Sequence, residues 1–197
     1  EGQVVSLGER DCSAQRRHQK VIEEAPAPHL SEDFRNTLHA DARRLVAAVD
    51  YLNAGTVEFI VDQNSETAYF LEVNTRLQVE HGVTEEVYGL DLVEWMVLQA
   101  AGELSDLDKK ASALSPRGHA VQLRIYAENP HKNFQPSAGL LSAVKWHDEA
   151  LRVDTWVETG ITVSPFYDPM LGKIVSYAET REVGLDKLAL CLEQSTI

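Results

Sequence analysis

The stretch from Glu58 to His81 constrains the chain more than any other. Val57-Glu58-Phe59-Ile60-Val61 and Tyr69-Phe70-Leu71-Glu72-Val73-Asn74 both alternate in period two, and a polar run, Asp62-Gln63-Asn64-Ser65-Glu66, lies between them. That period is the mark of a strand, so the stretch predicts a hairpin turning at 62–66. Residues two apart on a strand share a face, which sets Glu72 beside Asn74 and lets the paired strand bring Glu58 to them. The alternation continues to Glu80, so Arg76, Gln78 and Glu80 are expected in line with Glu72 and Asn74.

Two readings fit this pattern. An exposed face of a half-buried sheet alternates charged and apolar residues with no further role. Three oxygen donors on one face also suit a hard cation. Two crowded carboxylates repel and raise a pKa, whereas Mg²⁺ carried with nucleotide phosphates uses both charges. A guanidinium, a carboxamide and a carboxylate beyond them can hold a small planar oxyanion by forked hydrogen bonds and keep a base against it. The omission of Lys, Ser and Thr from these in-phase polar positions favours the second reading.

Composition sets outer bounds. The 197 residues, 44% hydrophobic and 25% charged, describe a globular chain of one large domain or two small ones. A net charge of -13 excludes a duplex nucleic-acid binder, which needs a basic face to replace counterions. A nucleotide needs only a few local cations and a metal. With no run of eighteen apolar residues and no basic, apolar leader, neither a membrane span nor export is expected, and the expected location is cytoplasmic. Cys12 and Cys191 stand far apart without a Cys-x-x-Cys spacing, which argues against zinc and a disulfide framework. The chain opens on what reads as half a hairpin and closes just after a helix, so a piece of a longer protein is expected.

Residues 3–8 read as a strand. The segment Glu9 to Lys20 then carries Arg10, Arg16, Arg17, Lys20 and His18, a local reversal of sign in an acidic chain. It fits a solvated or ion-paired loop as well as an anion site. Val21 to Pro28 reads as an extended linker. Ser31 should cap a helix with Phe34, Leu38, Leu45, Val46 and Val49 in the core, stopping near Asn53-Ala-Gly55. Asp91 with Glu94 marks a second helix that ends at Gly102, with Leu92, Trp95, Met96 and Leu98 facing a core. Residues 103–116 read as a connector. Beyond them, 119–128 alternates with Gln122, Arg124 and Tyr126 on one face, a turn-rich loop covers 129–139, and strands are expected over 140–146, 152–157 and 173–178. Thr180 should cap a final helix. The expected class is α+β.

Glu58, the run Glu72-Val-Asn-Thr-Arg-Leu-Gln-Val-Glu-His81, and Glu9-Arg-Asp-Cys-Ser13 with Gln15-Arg-Arg-His-Gln-Lys20 resemble the biotin carboxylase family of ATP-grasp ligases. The resemblance extends over almost the whole chain. It implies the C-terminal part of an ATP-grasp domain over 1–102, an antiparallel sheet with helices, then the connector, then a β-rich biotin carboxylase C-terminal domain over 117–197. It implies a ligase in which bicarbonate attacks the γ-phosphate of Mg-ATP and the resulting carboxyphosphate carboxylates a biotin attached to a carrier domain. By motif, Glu58, Glu72 and Asn74 would hold Mg²⁺ or Mn²⁺, and Glu58 and Glu72 with it the ATP. His18 and Lys20 would contact the nucleotide, and Lys20, Arg76, Gln78 and the backbone of Val79 bicarbonate. Glu80 would be the base, with Arg76 and Lys20 completing the catalytic set, and Arg124 would face biotin. Further partners implied are a carboxyltransferase domain and a second copy of the chain, joined through the region from 117 onward.

The sequence departs from the family in places. The glycine-rich phosphate lid and the adenine hinge are not in these residues, so the chain alone should hold half a site and not turn over. Gly82 and Asn129 stand where acyl-CoA-type members carry Pro and Asp. The segments Val153-Asp-Thr-Trp-Val-Glu-Thr-Gly160 and Pro165-Phe-Tyr-Asp-Pro-Met-Leu-Gly-Lys173 look most like the urea carboxylase branch, urea amidolyase included. An acyl-CoA or pyruvate carboxylase is the alternative within the family. Outside it stand another ATP-grasp ligase, such as the carbamoyl phosphate synthetase large subunit, and a non-catalytic dimerisation or scaffold piece.

Overall fold

The computed structural model describes residues 2–147 and 151–197, which form two compact units. The first comprises the residues up to Asp11 and Ala25–Arg117, the second Cys12–Glu24 and Gly118–Ile197. In chain order, β1 (Asp11–Arg16) and β2 (Gln19–Ala25) precede α1 (Glu32–Ala48), β3 (Thr56–Asp62) and β4 (Thr67–Asn74). Three helices come next: α2 (His81–Tyr88), α3 (Leu92–Ala101) and α4 (Leu107–Ser112). Then come β5 (His119–Tyr126), β6 (Glu128–Asn129), β7 (Gln135–Pro136), β8 (Gly139–Leu140) and β9 (Arg152–Thr155). The chain finishes with β10 (Thr162–Val163), β11 (Met170–Ala178) and α5 (Arg181–Gln194).

In the first unit, the Ser31 side chain accepts the Phe34 N–H at 3.2 Å and starts α1, which buries Phe34 and Leu38. Val49, expected in the core, is 69% exposed, because α1 ends at Ala48 and the apolar stripe ends with it. The predicted hairpin is β3–β4, with Glu58 directly opposite Glu72 and Thr56 opposite Asn74. A bulge falls where Phe59 pairs with Phe70 and Glu58 with Glu72, leaving Leu71 unmatched. It corrects the phase of β4, so Tyr69, opposite Ile60, joins Glu58 and Glu72 on one face although it lies an odd number of residues from Glu72.

The expected extension of that strand to His81 is not formed. β4 stops at Asn74, residues 75–80 are irregular, and α2 begins at His81. A turn accounts for this, with the His81 N–H and ring Nδ1 both meeting the Gln78 carbonyl, at 3.2 and 2.8 Å. α3 follows its sequence signals: Asp91 accepts the Glu94 N–H at 2.8 Å, and Gly102 ends the helix in the left-handed region. The connector region contains α4. Residues 3–8 form no ladder among the described residues and so are not a strand.

The second unit is organised on a five-stranded sheet in the order β1-β2-β5-β11-β9. β11 is buried along most of its length and pairs antiparallel with β5 and β9. Val121 and Ile174 of that sheet pack with Leu188 and Cys191 of α5. The Thr180 hydroxyl caps this helix. Val157, Val163 and Leu171 form a second cluster. The stretch read as loop and linker, 9–28, instead supplies the β1–β2 hairpin, turned by Arg17 and His18, both at positive φ. Asn-Gly is the usual signal for such a turn, and its absence hid the hairpin. The expected strand over 140–146 reduces to β8 and a lone Lys145–Thr196 bridge, where the chain bends rather than extends.

Candidate active site

The β3–β4 hairpin puts two like charges face to face, an arrangement that costs stability unless something answers it. Asn74 answers it by donating from Nδ2 to Glu58 Oε1 and to Glu72 Oε1, each at 3.0 Å. Gln78 adds a third donor, its Nε2 2.6 Å from Glu58 Oε1. Arg76 Nη2 reaches Asn74 Oδ1 at 3.3 Å, and its Nη1 the Leu77 carbonyl at 3.2 Å. Glu58, Glu72, Asn74, Arg76 and Gln78 are thus one connected group. Arg76 and Gln78 join it from the irregular turn, not from the strand face that their spacing suggested.

A residue that the spacing did not single out ties this group down. Arg10 donates from Nη2 to Gln78 Oε1 at 2.9 Å and to Thr56 Oγ1 at 3.0 Å, and from Nη1 to Thr84 Oγ1 at 2.9 Å. With its oxygen taken by Arg10, the Gln78 carboxamide must aim its N–H groups the other way, toward Glu58. The cationic run Glu9–Lys20 and the Glu9-Arg-Asp-Cys-Ser13 motif contain Arg10, but neither points to Gln78 as its partner.

Glu80 is 2% exposed, at the residue preceding α2. Val79 is half-buried in the same turn. His81, which could have served as a relay beside Glu80, has its Nδ1 on the Gln78 carbonyl. A carbonyl only accepts, so that nitrogen carries the proton and the ring helps to fix the turn.

The remaining predicted residues belong to the second unit. His18 is exposed in the β1–β2 turn, and Lys20 is half-buried at the start of β2. Arg124 lies opposite Lys173 in the β5–β11 register. Each of these facing cations has a carboxylate: Glu23 Oε1 is 2.6 Å from Arg124 Nε, and Asp154 Oδ2 is 3.3 Å from Lys173 Nζ. Burial opposes the charge on Asp154, but hydrogen bonding and attraction from Arg152, with attraction from Lys173, outweigh it and hold its carboxyl below the usual carboxylate range.

Two family models divide the chain between them. Residues 1–108 match the carbamoyl-phosphate synthase L chain ATP-binding domain, and residues 122–197 match the biotin carboxylase C-terminal domain. The chain belongs to the biotin carboxylase family. Its fold is accordingly α+β, an ATP-grasp C-terminal subdomain followed by the β-rich biotin carboxylase C-terminal subdomain. Urea amidolyase of Saccharomyces cerevisiae is 52% identical over 196 residues, covering 100% of this chain and 10% of that protein. The mitochondrial methylcrotonoyl-CoA carboxylase subunit alpha of Glycine max is 54% identical over 190 residues, covering 95% of this chain and 25% of that protein. The biotin carboxylase domain of Hydrogenobacter thermophilus 2-oxoglutarate carboxylase, solved as a dimer with MgADP, ADP and bicarbonate, superposes with a TM-score of 0.92 at 36% identity. That match covers 98% of this chain and 42% of the solved one. The chain therefore spans between a tenth and under a half of the length of these relatives.

Proposed function

We propose that this chain carries the bicarbonate-activating groups of an ATP-dependent biotin carboxylase, within a urea carboxylase. One observation carries the proposal: Glu58 faces Glu72 across the hairpin, with Asn74 bridging them and Gln78 and Arg76 attached to the same group. Carboxylate oxygens are donors that Mg²⁺ or Mn²⁺ takes, so the facing Glu58 and Glu72 fit such an ion. Asn74 would add its oxygen once its amide, whose Nδ2 now faces them and whose Oδ1 faces Arg76, turned over. Glu58, Glu72 and Asn74 would hold it, and it would supply charge neutralisation for ATP phosphates. Ile60 and Tyr69, 58% and 60% exposed beside the two carboxylates, offer apolar surface to the rest of a nucleotide.

Arg76, Gln78, Lys20 and the Val79 backbone hold bicarbonate in this reading, matching its charge with two cations and fixing its plane. Glu80 takes its proton and makes a weak nucleophile competent. His18 and Lys20 contact the nucleotide, and Arg124 faces the biotin that accepts the carboxyl group. Residues 1–102 are read as the end of an ATP-grasp domain, 103–116 as a connector and 117–197 as the C-terminal domain. Biotin carrier and carboxyltransferase domains, a second copy meeting the region from 117 onward and a cytoplasmic setting complete the proposal. The bicarbonate and MgADP bound by the Hydrogenobacter thermophilus relative support it.

In the full-length enzyme, Glu80→Gln should slow bicarbonate-dependent ATP cleavage by about 10²- to 10⁴-fold with ATP affinity unchanged. Undiminished turnover would remove Glu80 as the base. The identity to methylcrotonoyl-CoA carboxylase supports a second reading, an acyl-CoA acceptor. Stimulation of ATP cleavage by urea and not by methylcrotonoyl-CoA decides for the first, and the reverse result for the second.

A further inference from the structure

We propose that Glu23 is a positioning residue that sets the orientation of Arg124, an inference that rests on Arg124 facing biotin. Glu23 is 0% exposed on β2. Its Oε1 accepts from Arg124 Nε at 2.6 Å and from Nη2 at 2.5 Å, while its Oε2 accepts from Gln122 Nε2 at 3.0 Å. Gln122 is 0% exposed, two residues from Arg124 on the same face of β5.

The two grips have different jobs. A guanidinium and a carboxylate commonly pair through a two-oxygen fork. Here Gln122 holds the second oxygen of Glu23 while the first meets the Nε–Nη2 edge of the guanidinium, so both ends of the carboxylate are engaged. A planar group held along one edge has its plane and direction set. Glu23 also answers Arg124 where the register sets Lys173 across from it, so the two cations need not splay apart. A fully buried carboxylate is costly to keep, and a structural tie alone can be replaced by apolar packing at little loss. Aiming a cation cannot be replaced that way. A cation that assists a developing negative charge works through its fixed position, which the Glu23–Gln122 pair supplies to Arg124.

The test is a mutant cycle in the full-length carboxylase with free biotin as the varied substrate. Glu23→Gln should lower kcat/KM for biotin by about tenfold to a hundredfold, while the KM values for ATP and bicarbonate stay within about twofold. Arg124→Met should do at least as much, and the double variant should be no worse than Arg124→Met alone, since Glu23 acts through Arg124. Losses that multiply in the double variant, or ATP and bicarbonate KM values that rise with that for biotin, overturn the proposal. If Arg124→Met leaves biotin kinetics unchanged, the assignment of Arg124 fails first. If Arg124→Met is impaired and Glu23→Gln is not, that assignment stands and this inference falls. Should Glu23→Gln fail to fold, Gln122→Met frees the second oxygen and keeps the ion pair, and the same cycle with Arg124→Met must show the same non-additivity.

Discussion

His39 lies on α1 with its Nε2 2.9 Å from Glu9 Oε2, and Glu9 also pairs with Arg35 and accepts the Ala27 N–H. Burial lowers the His39 pKa below its ordinary value, and Arg43 and Arg35 add to the effect against Glu32. The folded state therefore keeps the imidazole neutral where the unfolded chain has begun to bind a proton. Stability contributed by this group is present above the unfolded value near 6.5 and is lost as pH falls below it. Denaturant titrations at pH 7.5 and 5.5 should show the loss, and His39→Gln should shrink it. Gly118 makes a second residue-scale prediction. It has φ +58, and a Cβ there would sit 2.3 Å from the Ala178 carbonyl oxygen, where β5 meets β11. Gly118→Ala should cost at least about 2 kcal/mol, read as a lower denaturation midpoint, since left-handed strain and a backbone clash act together.

Among the elements, α1 depends on a cap that the sequence announces. Ser31 caps α1, and Glu66 from the β3–β4 turn accepts both its N–H, at 2.9 Å, and its hydroxyl, at 2.8 Å. One residue thus starts a helix and tethers a hairpin. Ser31→Ala should destabilise the protein by about 1 kcal/mol or somewhat more, because the hydroxyl bond to Glu66 is lost with the cap while the backbone N–H bond remains. Thermal unfolding of the variant measures this. The hairpin turn is tied within itself as well: Asp62 accepts from the Ser65 hydroxyl at 2.9 Å and the Asn64 N–H at 3.0 Å, which lower its pKa. A pinned turn matters for chemistry, because one residue of slip would turn Glu58 away from Glu72.

For the whole molecule, the two units carry a net charge of -13, so any anionic ligand must be met by local cations. Arg10 and Arg76 stand in the carboxylate group, and Lys20 and Arg124 in the second unit. A nucleotide also needs groups that close over its phosphates, and no glycine-rich loop is present in these residues. Calorimetry on the 197-residue chain should find no micromolar binding of Mg-ATP, and micromolar affinity would refute the half-site reading. The described helices include none long and apolar enough to cross a membrane.

The grouping of Glu58, Glu72 and Asn74 was determined by the sequence alone, since period two and a short turn are local properties that bring side chains together without help from the rest of the chain. The caps Ser31, Asp91 and Thr180 were readable for the same reason. Only the tertiary structure decided that Arg76, Gln78 and Glu80 leave the strand, because a turn and the start of α2 override the alternation after Asn74. It also decided that Arg10 meets Gln78 across 68 residues and that Glu23 meets Arg124 across 101. Those contacts arise where burial leaves a charged group no water to turn to, and periodicity along the chain holds no record of which distant partner will be there.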